Sequence, residues 1–183
     1  MAKKVLIPLA PGFEEIETIT VVDVLRRAGA RVILGGTERG PIKGSRGILV
    51  MPDAPLEIQS PKDFDMIVLP GGQPGTTNLE NNPGLIHFLK TMNQEQKHIA
   101  AICAAPLVLQ KAGLIKNKNI TSHPSVEKQL KVKGYLDERV VVDGNFTTSR
   151  APGTAMEFAL KLVELLYNPE MVEKVNAGML ART

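Results

Sequence analysis

Four kinds of residue in this sequence can do chemistry jointly if the fold gathers them: a thiol, a carboxyl, an imidazole and a pair of glycines. The thiol is Cys103, the only cysteine, set in the apolar run "HIAAICAAPLVLQ" (98–110). The carboxyl is Glu17, the third acid of "EEIE" (14–17), the imidazole is His123 of "TSHP", and Gly71-Gly72 close "DMIVLPGG" (65–72). A thiol with an acid beside it and backbone N–H donors in front of it is equipped for nucleophilic attack on a carbonyl. The sulfur adds, the acid moves a proton, and the amides hold the oxyanion.

Each residue also has an ordinary reading. A free cysteine packs as a small hydrophobe. Glu14 and Glu15 suit the electropositive first turn of a helix and are read as no more than that. Glu17 points to a different helical face and divides between solvent and a place over a sheet edge. Gly71-Gly72 is either a turn or a point of close backbone approach that aims N–H donors at a reacting group. His123 is either a surface histidine or, from its place at a strand end, part of a site.

The elements that must position these residues follow from the hydrophobic pattern. "KVLIPLA" (4–10), "RVILGG" (31–36), "DMIVLPGG" and "HIAAIC" (98–103) are short apolar runs closed by glycine, proline or the cysteine, which is how strands buried on both faces of a parallel sheet read. Helical patterns lie between them, in "EEIETITVVDVLRRAG", "PGLIHFLKTMNQEQ" (83–96) and "APLVLQKAG" (105–113). This alternation predicts right-handed crossovers and a three-layer α/β sandwich with a mainly parallel central sheet. "NKNITSHP" (117–124) predicts a further short strand running into His123, and "RVVVDGNFTTS" (139–149) a hairpin with Asp143-Gly144 at its turn. A last long helix is expected to open on a capping box, Thr154 with Glu157.

In an open parallel sheet, ligands bind outside the carboxyl ends of the strands. The acids, the glycine pair, the thiol and the imidazole are all expected at that edge. Cys103 sits where a strand ends and a helix begins, with Pro106 in a first helical turn and Gly113 at its close, so the segment reads as a strand-to-helix elbow. A helix N-terminus lowers a thiol pKa. Glu17, if protonated, would donate a hydrogen bond to the thiolate, and the thiolate would favour that proton in return.

Length and composition exclude several classes. The 183 residues, 43% hydrophobic, suit one domain spanning 1–183. The charge of +3 comes from 22 basic and 19 acidic residues spread along the chain, with 4% aromatics, so no stacking basic stripe for nucleic acid is present. One cysteine rules out an internal disulfide framework, and the apolar stretches are too short for a membrane span. The opening residues do not read as a signal peptide, which predicts a cytoplasmic protein. Cys103 with His87, His98 and His123 shows no metal-ligand spacing, so no metal is expected.

Six ordered blocks, "LAPGFEEIET", "VVDVLRRAG", "DMIVLPGG", "AAICAAP", "TSHP" and "TSRAPGTAMEFAL", resemble the DJ-1 (ThiJ-like) branch of the DJ-1/ThiJ/PfpI superfamily over nearly the whole chain. The resemblance implies a flavodoxin-like sandwich, a homodimer and no cofactor. It implies that Cys103 is a reactive, oxidisable cysteine, Glu17 its hydrogen-bonding acid and His123 the nearby histidine. Gly72 and the Ala104 amide would form the backbone anion site, with Gly71 beside them. Arg46 and Arg27 would lie near the pocket and the dimer interface.

Departures narrow the reading. Ala104 stands where the protease branch carries histidine, and no histidine follows residue 123 to complete the glutamine amidotransferase arrangement. Ala151 replaces a glycine common in relatives. Cys103 has no second cysteine in the chain, so oxidation would stop at sulfenate or sulfinate or pass to an external thiol. The resemblance implies cofactor-independent detoxification of reactive dicarbonyls or of glycated proteins, as a glyoxalase or deglycase. The alternative is a non-enzymatic oxidative-stress sensor or redox-regulated chaperone.

Overall fold

The computed structural model describes residues 2–181; Met1, Arg182 and Thr183, the ends of the expected 1–183 domain, lie outside the described residues. The chain opens with β1 (Lys4–Leu9), α1 (Glu15–Arg27) and β2 (Arg31–Gly36), then a small hairpin, β3 (Ile42–Lys43) and β4 (Leu49–Val50), and a short edge strand β5 (Ala54–Pro55). After β6 (Met66–Leu69) come α2 (Gly75–Glu80), α3 (Pro83–Gln94), β7 (His98–Ile102) and α4 (Pro106–Lys111). The last part contains β8 (Asn119–Ile120), α5 (Pro124–Glu127), β9 (Gly134–Tyr135), the hairpin β10 (Val140–Asp143) and β11 (Phe146–Ser149), α6 (Ala155–Leu166) and α7 (Pro169–Met179).

The main sheet has the order β10-β11-β7-β6-β1-β2-β5. Its neighbours are parallel except for the antiparallel pair β10 and β11. Successive strand side chains point to opposite faces, and β6 is apolar throughout and β1 and β7 after their first residue because both faces are covered. Val5, Ile7 and Leu9 of β1 join Met66, Val68, Ala100 and Ile102 under α1 and α6. Leu6, Ile67, Leu69, Ile99 and Ala101 pack on the other face, under α3 and α4. This is the expected three-layer α/β sandwich.

The helices bury one stripe each. Val21, Val24 and Leu25 of α1 meet Phe158, Ala159, Leu162 and Val163 of α6 in one layer. In the other layer α3 buries Leu85, Phe88, Leu89 and Met92, and starts cleanly because Asn82 Oδ1 accepts the Leu85 N–H at 2.9 Å and Pro83 follows. The crossover from β1 through α1 leads one way along the sheet and the crossover from β6 to β7 leads the other way. The carboxyl ends of β1 and β6 therefore flank a topological switch point, where a crevice must open. Among the described residues, no helix is long and apolar enough to cross a membrane.

Three local expectations are corrected. The strand before His123, β8, pairs only with β9 in a separate two-stranded sheet, although the Thr121 N–H donates to Thr148 Oγ1 of β11 at 2.9 Å. The hairpin loop is Gly144-Asn145, one residue later than expected: Asp143 stays in register opposite Phe146, and Gly144 supplies the positive φ of 63°. The capping box at α6 does not form. Thr154 Oγ1 turns back to accept the Ala151 and Arg150 N–H groups and to share a hydrogen bond with Ser149 Oγ at 2.7 Å, while Glu157 binds Arg139 at 2.6 Å.

Candidate active site

Cys103 is the first residue beyond β7 and stands at φ 64°, in the left-handed region that side chains other than glycine rarely adopt. Such a conformation costs about 1–3 kcal/mol and persists where the surroundings impose it. Here they do: the Cys103 N–H donates to Ser149 O of β11 at 3.0 Å, and its carbonyl accepts the His123 N–H at 2.8 Å. The chain then turns through Ala104 and Ala105 into α4, with Pro106 at its first position. The strand-to-helix elbow expected from the sequence is present, and its joint is the cysteine.

Glu17 comes to the same point from the start of α1 and is completely buried. The Gly71 N–H donates to Glu17 Oε2 at 2.8 Å, while Oε1 has no hydrogen-bonding partner among the described residues. The thiol of Cys103 lies beside the carboxyl. Gly71 is the residue that permits this approach: a Cβ there would stand 2.6 Å from Cys103 Cβ and 2.7 Å from Glu17 Oε2. Gly72, at φ 90°, is packed against the first turn of α1, where a Cβ would come within 2.5 Å of the Glu14 nitrogen.

The expected backbone donors divide by role. The N–H groups of Gly72 and Ala104 are near enough to the Cys103 sulfur to favour its charged form. The Gly71 N–H does not face an oxyanion, because Glu17 occupies it.

Burial decides the electrostatics. It pushes the Glu17 carboxyl up to about 7, against the Gly71 amide and the thiol and with help from the Glu14 carboxylate. Burial also pushes the Cys103 thiol up to about 12, reinforced by the charge and hydrogen bond of Glu17 and opposed by the Gly72 and Ala104 amides. The lowering expected from a helix N-terminus is thus opposed first by the burial of the thiol and then by the charge of Glu17. α4 is only six residues long, and its start cannot match a buried carboxylate in contact.

His123 caps α5, its Nδ1 accepting the Ser125 N–H at 3.2 Å and lying 2.8 Å from Ser125 Oγ. In the neutral ring this leaves Nε2 as the N–H donor. Its backbone bond to the Cys103 carbonyl fixes it next to the elbow. Arg46 is exposed on the loop between β3 and β4, where its backbone N–H donates to Glu15 Oε1 at 2.6 Å. Arg27 is not brought to the site within this chain. It is at the far end of α1 from Glu17, about 15 Å away by helix rise, in an exposed ion pair with Asp23 at 2.6 Å. Among the described residues no group of three or more His, Cys, Asp or Glu side chains is placed to hold a metal ion.

Two acids have more to do than the sequence suggested. Glu14 is the N-cap of α1, its carboxylate accepting the Glu17 N–H at 2.8 Å. Glu15 is buried and binds the β3–β4 loop. The Glu14-x-x-Glu17 spacing is that of a capping box, but glutamate is an unusual cap, and this hid its role.

An α/β sandwich with a cysteine on a strand-to-helix elbow, a buried carboxyl against the thiol and two amides on the sulfur defines a class of cysteine-centred proteins. The model of the DJ-1/PfpI family matches residues 3–165, and the chain belongs to that family. It is 44% identical over 183 residues to protein dj-1beta of Drosophila melanogaster, covering 98% of each chain. The crystal structure of that fly protein superposes with a TM-score of 0.94 over 100% of both chains. The glutathione-independent glyoxalase DJR-1.2 of Caenorhabditis elegans is 42% identical over 171 residues, 92% of this chain and 91% of that one. The structure of Toxoplasma gondii DJ-1, described as oxidized, matches at 38% identity with a TM-score of 0.95 over 100% of both chains.

Proposed function

We propose that this protein is a cysteine-dependent, cofactor-independent enzyme that converts small reactive dicarbonyls, or their adducts on proteins, to hydroxy acids in the cytoplasm. The observation that carries this reading is the Cys103 elbow at φ 64°, with two amides on its sulfur and a protonatable carboxyl in contact. The glyoxalase name of the nematode relative supports the dicarbonyl class.

The reactive form is the one in which Glu17 holds the proton and the sulfur holds the charge. Three features favour it. Glu17 is completely buried whereas Cys103 is half-buried, so the desolvation cost of the anion is lower on sulfur. The sulfur has two amide donors and the carboxyl one. A proton on Glu17 Oε1 gives that unpartnered oxygen a hydrogen to donate, and a bond to an ionised acceptor is stronger than a neutral one. The two groups share one negative charge, and their titration belongs to the pair.

With methylglyoxal as substrate, the thiolate adds to the aldehyde carbon and the new alkoxide takes the Glu17 proton, giving a hemithioacetal. Glu17, now a base, removes the remaining hydrogen of that carbon to form an enediolate and returns that proton to the neighbouring carbon, while the hydroxyl proton of the first carbon passes to the neighbouring oxygen. The aldehyde carbon is oxidised to a thioester while the ketone carbon is reduced to an alcohol. Water then releases lactate and restores the thiol. The Gly72 and Ala104 amides hold the developing oxygen charge, and the His123 Nε2 edge assists proton movement. In deglycation the adduct is a hemiaminal: its amine leaves with the Glu17 proton as the thiolate takes its place on the former aldehyde carbon, giving the same hemithioacetal.

The assay is lactate formed from methylglyoxal by the purified protein. Turnover lost in Cys103→Ser and Glu17→Ala supports the reading; a wild-type rate no higher than that of Cys103→Ser overturns it. Oxidative sensing is the second reading, favoured by the half-buried lone thiol and by the oxidized state described for the Toxoplasma relative. It expects mild peroxide to add oxygen to Cys103 before any of the seven methionines; methionine oxidation first, read by mass spectrometry, counts against it.

The reading includes a homodimer. Exposed Ile16 and Ile19 of α1, with Ile48 and Met156, line an apolar groove of about 440 Å³, a face suited to a second copy. Ile16→Glu is expected to shift the species measured by sedimentation from dimer to monomer; a wild-type monomer refutes this part.

A further inference from the structure

The hairpin of β3 and β4 takes no part in the chemistry above, yet its loop converges on one carboxylate of α1. The Arg46 N–H donates to Glu15 Oε1 at 2.6 Å, the Ile48 N–H to the same oxygen at 3.3 Å, and Ser45 Oγ to Oε2 at 3.1 Å. Glu15 is buried; although burial pushes its carboxyl up, these donors hold it below the ordinary range, so it stays charged at neutral pH. The fit is close: a Cβ on Gly44 would stand 2.5 Å from the Glu15 carboxyl.

The same loop grips the segment that leads into α1. The Gly12 N–H donates to Lys43 O and the Ser45 N–H to Phe13 O, each at 2.8 Å. On the opposite side the Glu14 N–H donates to Gly71 O at 2.9 Å. The first turn of α1 is thus clasped between the hairpin and the glycine loop. Glu17, by contrast, is held by one backbone donor and has a bare oxygen. The position of its carboxyl over the sulfur is set by where that first turn lies.

We infer that Glu15 is a positioning residue: by binding the 44–48 loop it keeps the first turn of α1, and with it the Glu17 carboxyl, in place against Cys103. The inference rests on the Cys103–Glu17 reading above. Glu15 acts through Glu17, its own carboxylate being engaged by the hairpin. Two predictions separate this from general stabilisation. Displacing the carboxylate without removing it must have the same effect as removing it, and an uncharged side chain that still accepts the loop amides must largely restore the wild type.

The test is the rate of Cys103 alkylation by iodoacetamide as a function of pH in the full-length protein. Glu15→Ala, Glu15→Gln and Gly44→Ala are compared with the wild type and with Glu17→Ala, each also followed by thermal melting. Glu15→Ala and Gly44→Ala are expected to move the midpoint toward that of Glu17→Ala by about half to one pH unit, or about three- to tenfold in rate at pH values well below the midpoint. Glu15→Gln is expected to stay nearer the wild type. If Glu15→Ala fails to fold, Gly44→Ala carries the same comparison. A wild-type midpoint in the folded variants overturns the inference, whatever their melting temperatures, provided Glu17→Ala does shift. If Glu17→Ala itself leaves the midpoint unmoved, the pair reading fails first and this inference falls with it.

Discussion

The two turns that build the site are made in opposite ways. After β7 the backbone does the positioning: Cys103 takes φ 64°, hands its N–H to Ser149 and its carbonyl to His123, and is followed by two alanines without polar side-chain atoms. After β1 the side chains do it: Glu14 caps the helix, Glu15 binds the β3–β4 loop and Glu17 enters the site. The thiol is fixed by topology and a strained dihedral, the Glu17 carboxyl by a set of carboxylates that each need a donor. The elbow should therefore tolerate changes of nearby side chains that leave its backbone alone, whereas the acid turn should respond to each carboxylate in graded fashion.

The largest expected effects come from the reacting groups, one on each turn. Cys103→Ser is expected to reduce lactate formation to the buffer rate. Glu17→Ala is expected to lower it by about 10²–10⁴-fold, the usual span for a general acid–base group. Equal residual rates in the two variants would mean that the turns act as one unit.

Gly71 is where the turns touch, so Gly71→Ala should damage both. Its Cβ would meet Cys103 Cβ at 2.6 Å and Glu17 Oε2 at 2.7 Å. Overpacking of this kind costs about 1–3 kcal/mol, a fall of about 2–12 °C in melting temperature at about 2–4 °C per kcal/mol, along with loss of Cys103 alkylation at neutral pH. A variant with wild-type melting and reactivity would break the comparison.

The acid turn also has a pH signature. Burial raises the Glu17 carboxyl from the ordinary 4.5 to about 7, and because the charge released there is shared with Cys103, it is the pair that binds its proton more tightly in the folded state than the unfolded carboxyl does. Stability from this group is full below the ordinary value and is lost as pH rises through about 7. Glu17→Gln, a permanent analogue of the protonated acid, is expected to gain on the wild type in melting temperature between pH 4.5 and 7 and to hold that gain above. A difference that does not change with pH would contradict the assignment.

The smallest effect is at the cap. Glu14→Ala removes the acceptor of the Glu17 N–H and is expected to cost about 1 kcal/mol. It also removes a negative charge that raises the Glu17 pKa, so the pH-dependent loss of stability should move toward lower pH.

Much of this was legible in the sequence, and unevenly so along the lines of the same contrast. The four buried strands announce themselves as apolar runs because both sheet faces are covered, and the elbow follows from a strand ending at Ile102 and a proline at the first turn of α4. Cys103, Glu17, Gly72 and His123 could be named from residue type and strand-end position together with the family blocks. What escaped are contacts made by side chains over long sequence distances. Glu15 meets the loop of Arg46, and Thr154 folds back on Ser149 instead of capping α6. Local patterns carry periodicity and caps; they do not carry which distant donor reaches a carboxylate first. The upward push of burial on the thiol was hidden for the same reason, since the helix terminus is local and the packing of Cys103 against Glu17 is not.

The central claim is that Cys103 carries the shared charge while Glu17 carries the proton. The most direct measurement is the ultraviolet titration of the thiolate in wild type and Glu17→Ala, with Cys103→Ser as the blank. A wild-type thiolate is expected to form at or below neutral pH, with a midpoint that rises in Glu17→Ala as the thiolate loses its hydrogen-bond donor. A thiolate that forms only at strongly alkaline pH, with a midpoint that falls when Glu17 is removed, would place the charge on the carboxylate and contradict it.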